Sequence, residues 1–239
     1  GANSFKWNRY GTGFNVDGET YIYAAFADKR EYAYWLDQSG NNNDWTSVNL
    51  TESDISVDSP TNNFCTLNAI DSYFDTMAEG NLKVTHGADW KGARGTLATS
   101  TGKWYYEVHL DTATTYQLCG IFDVEGENGG KLQDEANWRS YRSDGSTQSG
   151  GGVDANTSLA NNSSDDILQV AYDLDAGKIW FGINNSWIVS GDPAAGSNEI
   201  YSSLSGTFAP AIATYSSTMC VNFGQDSSFA GNKTAQGNQ

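Results

Sequence analysis

The sequence predicts an all-β protein, an antiparallel sandwich or barrel, and three observations predict it. Helical periodicity is nearly missing: no window of a dozen residues keeps apolar side chains at i, i+3, i+4 and i+7. Short runs of aromatic and β-branched residues recur instead, the residue types that fit a pleated, half-buried surface. Turn signals separate those runs, with 26 Gly against 3 Pro and many Asn and Asp clusters.

Taken in order, Thr20 to Ala27 is the first β-branched and aromatic run. Residues 31–79 are polar and rich in Asn, Asp and Ser, with isolated anchors at Trp35, Trp45 and Phe64. They predict an irregular linker or wrapping arm, with one short helical candidate from Asp71 to Ala78. Trp104 to Leu110 alternates, placing Trp104, Tyr106, Val108 and Leu110 on one face and Glu107 and His109 on the other. Residues 143–166 approach low complexity and read as exposed loops. Ile167–Leu174, the turn Asp175-Ala176-Gly177 and Lys178–Ile183 make a hairpin. Asn184-Asn185 is a second tight turn, because Asn tolerates positive φ. Phe208–Ala213 and Met219–Phe223 add two strands, and the polar tail from Ala230 is expected to fray. The expected organisation is 1–30 as the end of an upstream β-domain, 31–79 as the arm, 80–229 as the sandwich and 230–239 as a flexible tail.

Charge narrows the function. The 239 residues carry 29 Asp and Glu against 13 Lys and Arg, a net charge of −16. The cations are scattered, with one adjacent pair at Lys29-Arg30. That argues against a nucleic-acid partner or an anionic membrane. Hydrophobic content is 38% and mean hydropathy −0.53. Yet 8 Trp and 13 Tyr supply a core with few aliphatics. No run of about 18 apolar residues marks a membrane helix. The opening residue is Gly1 rather than Met, which predicts a piece of something longer. Cys65, Cys119 and Cys220 are three cysteines with apolar neighbours, expected to be buried thiols rather than a disulfide framework.

Several residue groups invite chemistry. Asp123, Glu125 and Glu127 follow a strand closely enough to flank a glycosidic bond, but with 29 acids an accidental pair is expected and a solvated acidic loop is the better account, with a polar binding contact as a further alternative. Asp37, Asn41, Asn43 and Asp44 offer hard oxygen ligands for calcium. They lack the sixth-position Gly and twelfth-position Glu of the helical-loop motif, and Asx turns explain the same run. His86 and His109 have no neighbours at zinc spacing. No Gly-x-Ser-x-Gly elbow is present, and Gly150-Gly151-Gly152 is not followed by Lys-Ser/Thr. The sequons at Asn49, Asn156, Asn161, Asn162, Asn184 and Asn232 are expected by chance in so Asn-rich a chain. Trp138, Arg139, Tyr141 and Arg142 put two rings and two guanidiniums within five positions, the composition of a binding hot spot. Trp187, just past the Asn184-Asn185 turn, is a second candidate. Core packing and strand-edge packing are the competing explanations for these rings.

From about Glu79 the chain resembles the SPRY domain family, over roughly 150 residues. The matching segments are Gly102-Lys-Trp-Tyr-Tyr-Glu-Val108, Cys119-Gly-Ile-Phe122, Tyr141-Arg-Ser-Asp-Gly145, Asp165 to Phe181, Phe208-Ala-Pro-Ala-Ile212 and Val221-Asn-Phe-Gly224. The resemblance implies a bent antiparallel two-sheet β-sandwich, concanavalin-like, that binds partners through loops at one end and carries no catalysis. Upstream, Gly18 to Ala27, Tyr34 to Trp45 and Asp58 to Asn68 resemble segments of tailed-bacteriophage structural proteins, marine phages especially. That second resemblance implies a virion fibre, spike or decoration component, assembled in the host cytoplasm and displayed as a homo-oligomer on the particle surface. Its partners would be other virion proteins and a host-surface glycan or protein. The alternatives are a carbohydrate-active enzyme using the Asp123–Glu127 acids and a secreted bacterial adhesin.

Overall fold

In the computed structural model of the chain, residues 41, 43, 48, 63–87, 89–113, 116–126, 138–150, 152–154 and 159–235 are described. The chain divides into two units, Gly1–Leu50 and Thr51–Gln239, and every described strand belongs to the second. The strand expected at Thr20–Ala27, and the anchors Trp35 and Trp45, lie outside the described residues.

Fourteen described strands form two seven-stranded antiparallel sheets. In spatial order the first holds β1 (Leu67–Ser72), β4 (Lys91–Gly95), β13 (Phe208–Thr214), β6 (Gln117–Asp123), β7 (Trp138–Arg142), β8 (Thr147–Ser149) and β9 (Gly152–Val153). The second holds β12 (Ser186–Trp187), β11 (Lys178–Ile183), β10 (Ile167–Asp173), β5 (Lys103–Thr112), β14 (Ser217–Asn222), β3 (Lys83–His86) and β2 (Thr76–Ala78). The sheets form the predicted sandwich. Between them lies one core, to which the second sheet gives Tyr106, Val108, Leu168, Val170, Met219 and Val221 and the first gives Cys119, Ile121, Tyr141 and Ile212. Each fully buried Val or Leu contributes about 1.5–3 kcal/mol.

One polar tie crosses that core. The Tyr106 hydroxyl donates to the Gly120 carbonyl at 2.6 Å and accepts from the Gly120 N–H at 2.9 Å, joining β5 to β6. Gly120 is required there for a second reason: a Cβ would lie 2.0 Å from the Arg139 carbonyl oxygen of β7. The β10–β11 hairpin forms as expected, and Asn184 and Asn185 take φ of 47° and 65° in the turn to β12. Two successive positive φ values match the twist of the flanking strands.

Several expectations need correction. Asp71–Ala78 is not helical: it holds the end of β1 and all of β2. Leu67, inside the segment read as an irregular arm, is wholly buried in the core. The stretch 143–149 is not an exposed loop, since Ser143, Ser146, Thr147 and Gln148 are buried. Short hydroxyl side chains can be buried because carboxylates satisfy them. Asp144 accepts from the Ser146 N–H and hydroxyl, and Asp154 accepts from Thr147, Ser149 and Tyr201. On β5 the alternation is right for Tyr106, Val108 and Leu110, but Trp104 at the strand start is half exposed. His109 points away from the inter-sheet core yet is buried, because Phe229 covers it at 5.7 Å between ring centres. Just past Ala230 the chain packs back as well: the Lys233 ammonium lies 2.7 Å from the Asp165 carboxylate, which is also 3.1 Å from the His109 ring nitrogen.

The three cysteines are free and buried, as expected. Burial raises all three thiols above their ordinary value, Cys220 to about 12, so they remain protonated and act as small apolar groups.

Candidate functional site

Strand register sorts the loops into two ends. Thr214 pairs with both Lys91 and Gln117, Arg142 pairs with Leu118, and Thr218 pairs with Thr112. The β3–β4, β5–β6, β7–β8 and β13–β14 connections therefore share one end. Asp123 pairs with Phe208 and Lys103 with Asp173, which puts the β4–β5 and β10–β11 connections and the turn after β6 at the other.

At the first end three loops each bring one aromatic ring to the same place. Trp90 comes from the β3–β4 loop, Tyr116 from the β5–β6 loop and Tyr215 from the β13–β14 turn. Their ring centres lie 5.7 Å (Trp90–Tyr116), 6.1 Å (Trp90–Tyr215) and 5.9 Å (Tyr116–Tyr215) apart. These are edge and tilted contacts of the kind aromatic quadrupoles favour. A 3.0 Å bond from the Tyr215 N–H to the Tyr116 carbonyl locks two of the loops together. Tyr116 and Tyr215 are 38% and 40% exposed. Trp90 is half-buried and packs against the cluster of Leu118, Phe122, Trp138, Ala211 and Ala213 on the outer face of the first sheet.

Charges frame the rings. The Arg142 guanidinium sits 4.6 Å over the Tyr116 ring, and Asp144 holds it at 2.9 Å. Asp89 lies 3.0 Å from Lys91 and 2.6 Å from the His86 ring nitrogen. Hydrogen bonding from Lys91, then from His86, holds the Asp89 carboxyl below the usual carboxylate range. The other His86 nitrogen is 2.8 Å from Asp75, so β3 ties the adjoining loops on both sides. The result is a rigid, half-exposed aromatic surface edged by a cation and carboxylates, the chemistry of a recognition surface.

The residues singled out in the sequence are not brought together. Trp138 and Tyr141 are wholly buried, and neither is a surface contact. Trp138 packs 5.9 Å from Phe122; Tyr141 packs 5.9 Å from Phe181 in the inter-sheet core and donates to the Ala160 carbonyl. Strand alternation sends the two guanidiniums to opposite faces of β7. Arg139 lies 6.0 Å over Tyr201, and of the four only Arg142 joins the aromatic end. Trp187 packs edge-on at 6.3 Å against Tyr105, on the outer face of the second sheet. Asp123 and Glu125 sit at the opposite end in a turn of their own, where an Asp123 carboxylate oxygen accepts the Glu125 N–H at 3.1 Å. Arg94 braces that turn by donating to the Gly126 carbonyl at 3.0 Å, and Glu127 lies outside the described residues. Asp37 and Asp44 also lie outside them, while Asn41 and Asn43 are exposed and already have partners. Among the described residues no group of three or more His, Cys, Asp or Glu is placed to hold a metal ion.

Sequence reasoning missed Trp90, Tyr116 and Tyr215. The available signal was position: each is a large ring in a connection between two strands, outside the alternation that assigns strand side chains to a sheet face.

Two antiparallel sheets around one core, with aromatic chemistry raised on loops at one end, define an all-β sandwich module. The model of the SPRY domain family matches residues 103–226, and the chain belongs to that family. SPRY domains generally mediate protein–protein interactions and are typically non-catalytic. The fold is similar to the crystal structure of the SPRY domain of human HERC1 at TM-score 0.53 and 15% identity, over 66% of this chain and 98% of that one. It is also similar to the TRIM65 PSpry domain at TM-score 0.50 and 10% identity, over 67% of this chain and 92% of that one. No curated protein matches the chain in sequence.

Proposed function

We propose that this chain is a non-catalytic binding module of a tailed-phage virion, presenting its aromatic loop end to a host-surface protein or glycan or to another virion protein. The single observation that carries the binding role is the Trp90–Tyr116–Tyr215 cluster with Arg142 beside it: three loops converge, Trp90 anchors the cluster on the outer face of the first sheet, and Tyr116 and Tyr215 stay exposed. Such rings bury large area at low entropic cost when a partner covers them. The virion setting is supported by the upstream segments that resemble phage structural proteins. A net charge of −16 keeps an exposed particle protein soluble. Homo-oligomeric display would turn weak single sites into avidity.

The test has two arms. Antibody labelling of purified particles should place the chain on the virion surface, and its absence from particles refutes the virion setting. In the second arm the full chain carrying Tyr215→Ala, with Trp90→Phe as a milder companion, is assayed for binding to intact host cells and to purified particles. At least a tenfold loss for Tyr215→Ala with unchanged melting is expected. Unchanged binding in both variants refutes the assignment of this end.

A further inference from the structure

The opposite end of the sandwich holds a feature that the binding reading does not use. The segment entering β1 and the β4–β5 loop flank a cavity of about 210 Å³ that opens between the two sheets. Phe64, Trp104, Tyr172, Phe223, Leu97 and Pro210 line it. Leu97 and Trp104 stay half exposed at its mouth, while Tyr172 is 5% exposed.

The polar groups of the lining are nearly all spent. The Tyr106 hydroxyl is committed to Gly120, and the Thr99 hydroxyl donates to the Thr101 carbonyl at 2.8 Å. The Trp104 indole N–H donates to the same carbonyl at 2.8 Å. Cys65 is a neutral thiol, its ionisation suppressed by burial. Apart from the exposed Asn63, Tyr172 is the exception. Its hydroxyl makes no hydrogen bond to any described residue, and burial is the main influence on its ionisation. The hydroxyl is not among the buried unpaired side-chain atoms and lines the cavity, so an acceptor on a guest there takes its proton in place of water. Space and walls also agree. A dry apolar cavity of about 150 Å³ suffices for benzene, and aromatic walls favour a planar guest through edge and face contacts.

We propose that this cavity is a binding site for a small aromatic molecule of one or two rings bearing a hydrogen-bond acceptor, with the ring held among Phe64, Trp104 and Phe223 and the acceptor taking the Tyr172 O–H. The site is independent of the aromatic loop end, so either can fail alone.

Acetophenone and ethylbenzene, nearly equal in size, test it by ligand-observed NMR with the full chain. Both should bind. Tyr172→Phe should weaken acetophenone at least fivefold and leave ethylbenzene within twofold, because only the ketone uses the hydroxyl. Ala98→Trp, an exposed lining position, should close the mouth and weaken both at least tenfold with melting unchanged. The proposal is overturned if neither probe binds at millimolar concentration, if Ala98→Trp binds both as before, or if Tyr172→Phe affects the two probes alike. Should Ala98→Trp prove unstable, the Tyr172→Phe comparison decides alone.

Discussion

Trp138 and Tyr141 on β7 and the rings of Trp90, Tyr116 and Tyr215 on connections between the two sheets are the same residue types, yet they do different work. The β7 pair is wholly buried and each ring has a place in a core cluster. The loop rings touch one another, with Trp90 also resting on the outer-face cluster, and Tyr116 and Tyr215 keep more than a third of their surface in water. Strand position makes the difference. A ring inside a strand is carried to a sheet face by alternation, and here both faces of β7 are covered. A ring in a connection has no assigned face, so it stays available. At the aromatic end of this sandwich the rings open to a partner are therefore ones that fall between strands.

The largest test of this contrast is truncation on β7. Trp138→Ala should cost about 3–5 kcal/mol in denaturant unfolding, the range for deleting a large buried ring, and any loss of binding should track unfolding. Trp138→Phe should cost much less. The Trp138 indole N–H has no hydrogen-bond partner among the described residues, so removing it removes a penalty along with volume. A stable Trp138→Ala that fails to bind would break the distinction. On the loops the outcome should reverse: Tyr215→Ala should change stability by under about 1 kcal/mol while binding falls at least about tenfold, or about 1.4 kcal/mol. Arg142→Lys is subtler. The guanidinium over Tyr116 is worth about 0.5–1 kcal/mol as a cation–ring contact, so binding should weaken by about two- to fivefold with melting nearly unchanged. An equal loss for Arg139→Lys would argue that both faces of β7 take part.

The fold was largely legible, and the reasons are local. Trp104 to Leu110, Ile167 to Ile183 and Phe208 to Ala213 carry period-two or fully apolar runs bounded by turn residues, which read directly as strands. The stretch Ser143–Ser149 was not legible, because its burial depends on Asp154 and the 159–162 segment closing over it. His109 is similar: nothing in its own strand announces that Phe229, 120 residues later, will cover it. The candidate site was legible in chemistry but not in place. Arg142 was singled out, whereas its true companions come from three connections far apart in sequence, brought together by sheet order alone. The pairing of β13 with β4 and β6 that unites them is a long-range event.

The smallest effect separates the two ends by pH. Asp89 at the aromatic end is held below the usual carboxylate range by Lys91 and His86, and Asp173 at the other end by the Ala176 N–H first and Lys103 further. A carboxylate with a depressed folded value contributes stability that is present above its unfolded value, near 4, and lost as pH falls through the folded value. Both contributions are intact at pH 7 and disappear in acid. Falling pH also neutralises part of the net −16, which relieves self-repulsion and opposes that loss at first. Melting should therefore change little from pH 7 to 5 and decline below about 4. Substitution at neutral pH divides the effect. Asp89→Asn frees the loop that carries Trp90 and should weaken binding by about twofold, the scale of an exposed ion pair. Asp173→Asn releases the β10–β11 turn and should lower melting slightly while binding stays intact. If the two variants have interchangeable effects, the ends are coupled, and the loop rings depend on the whole sandwich rather than on their own three connections.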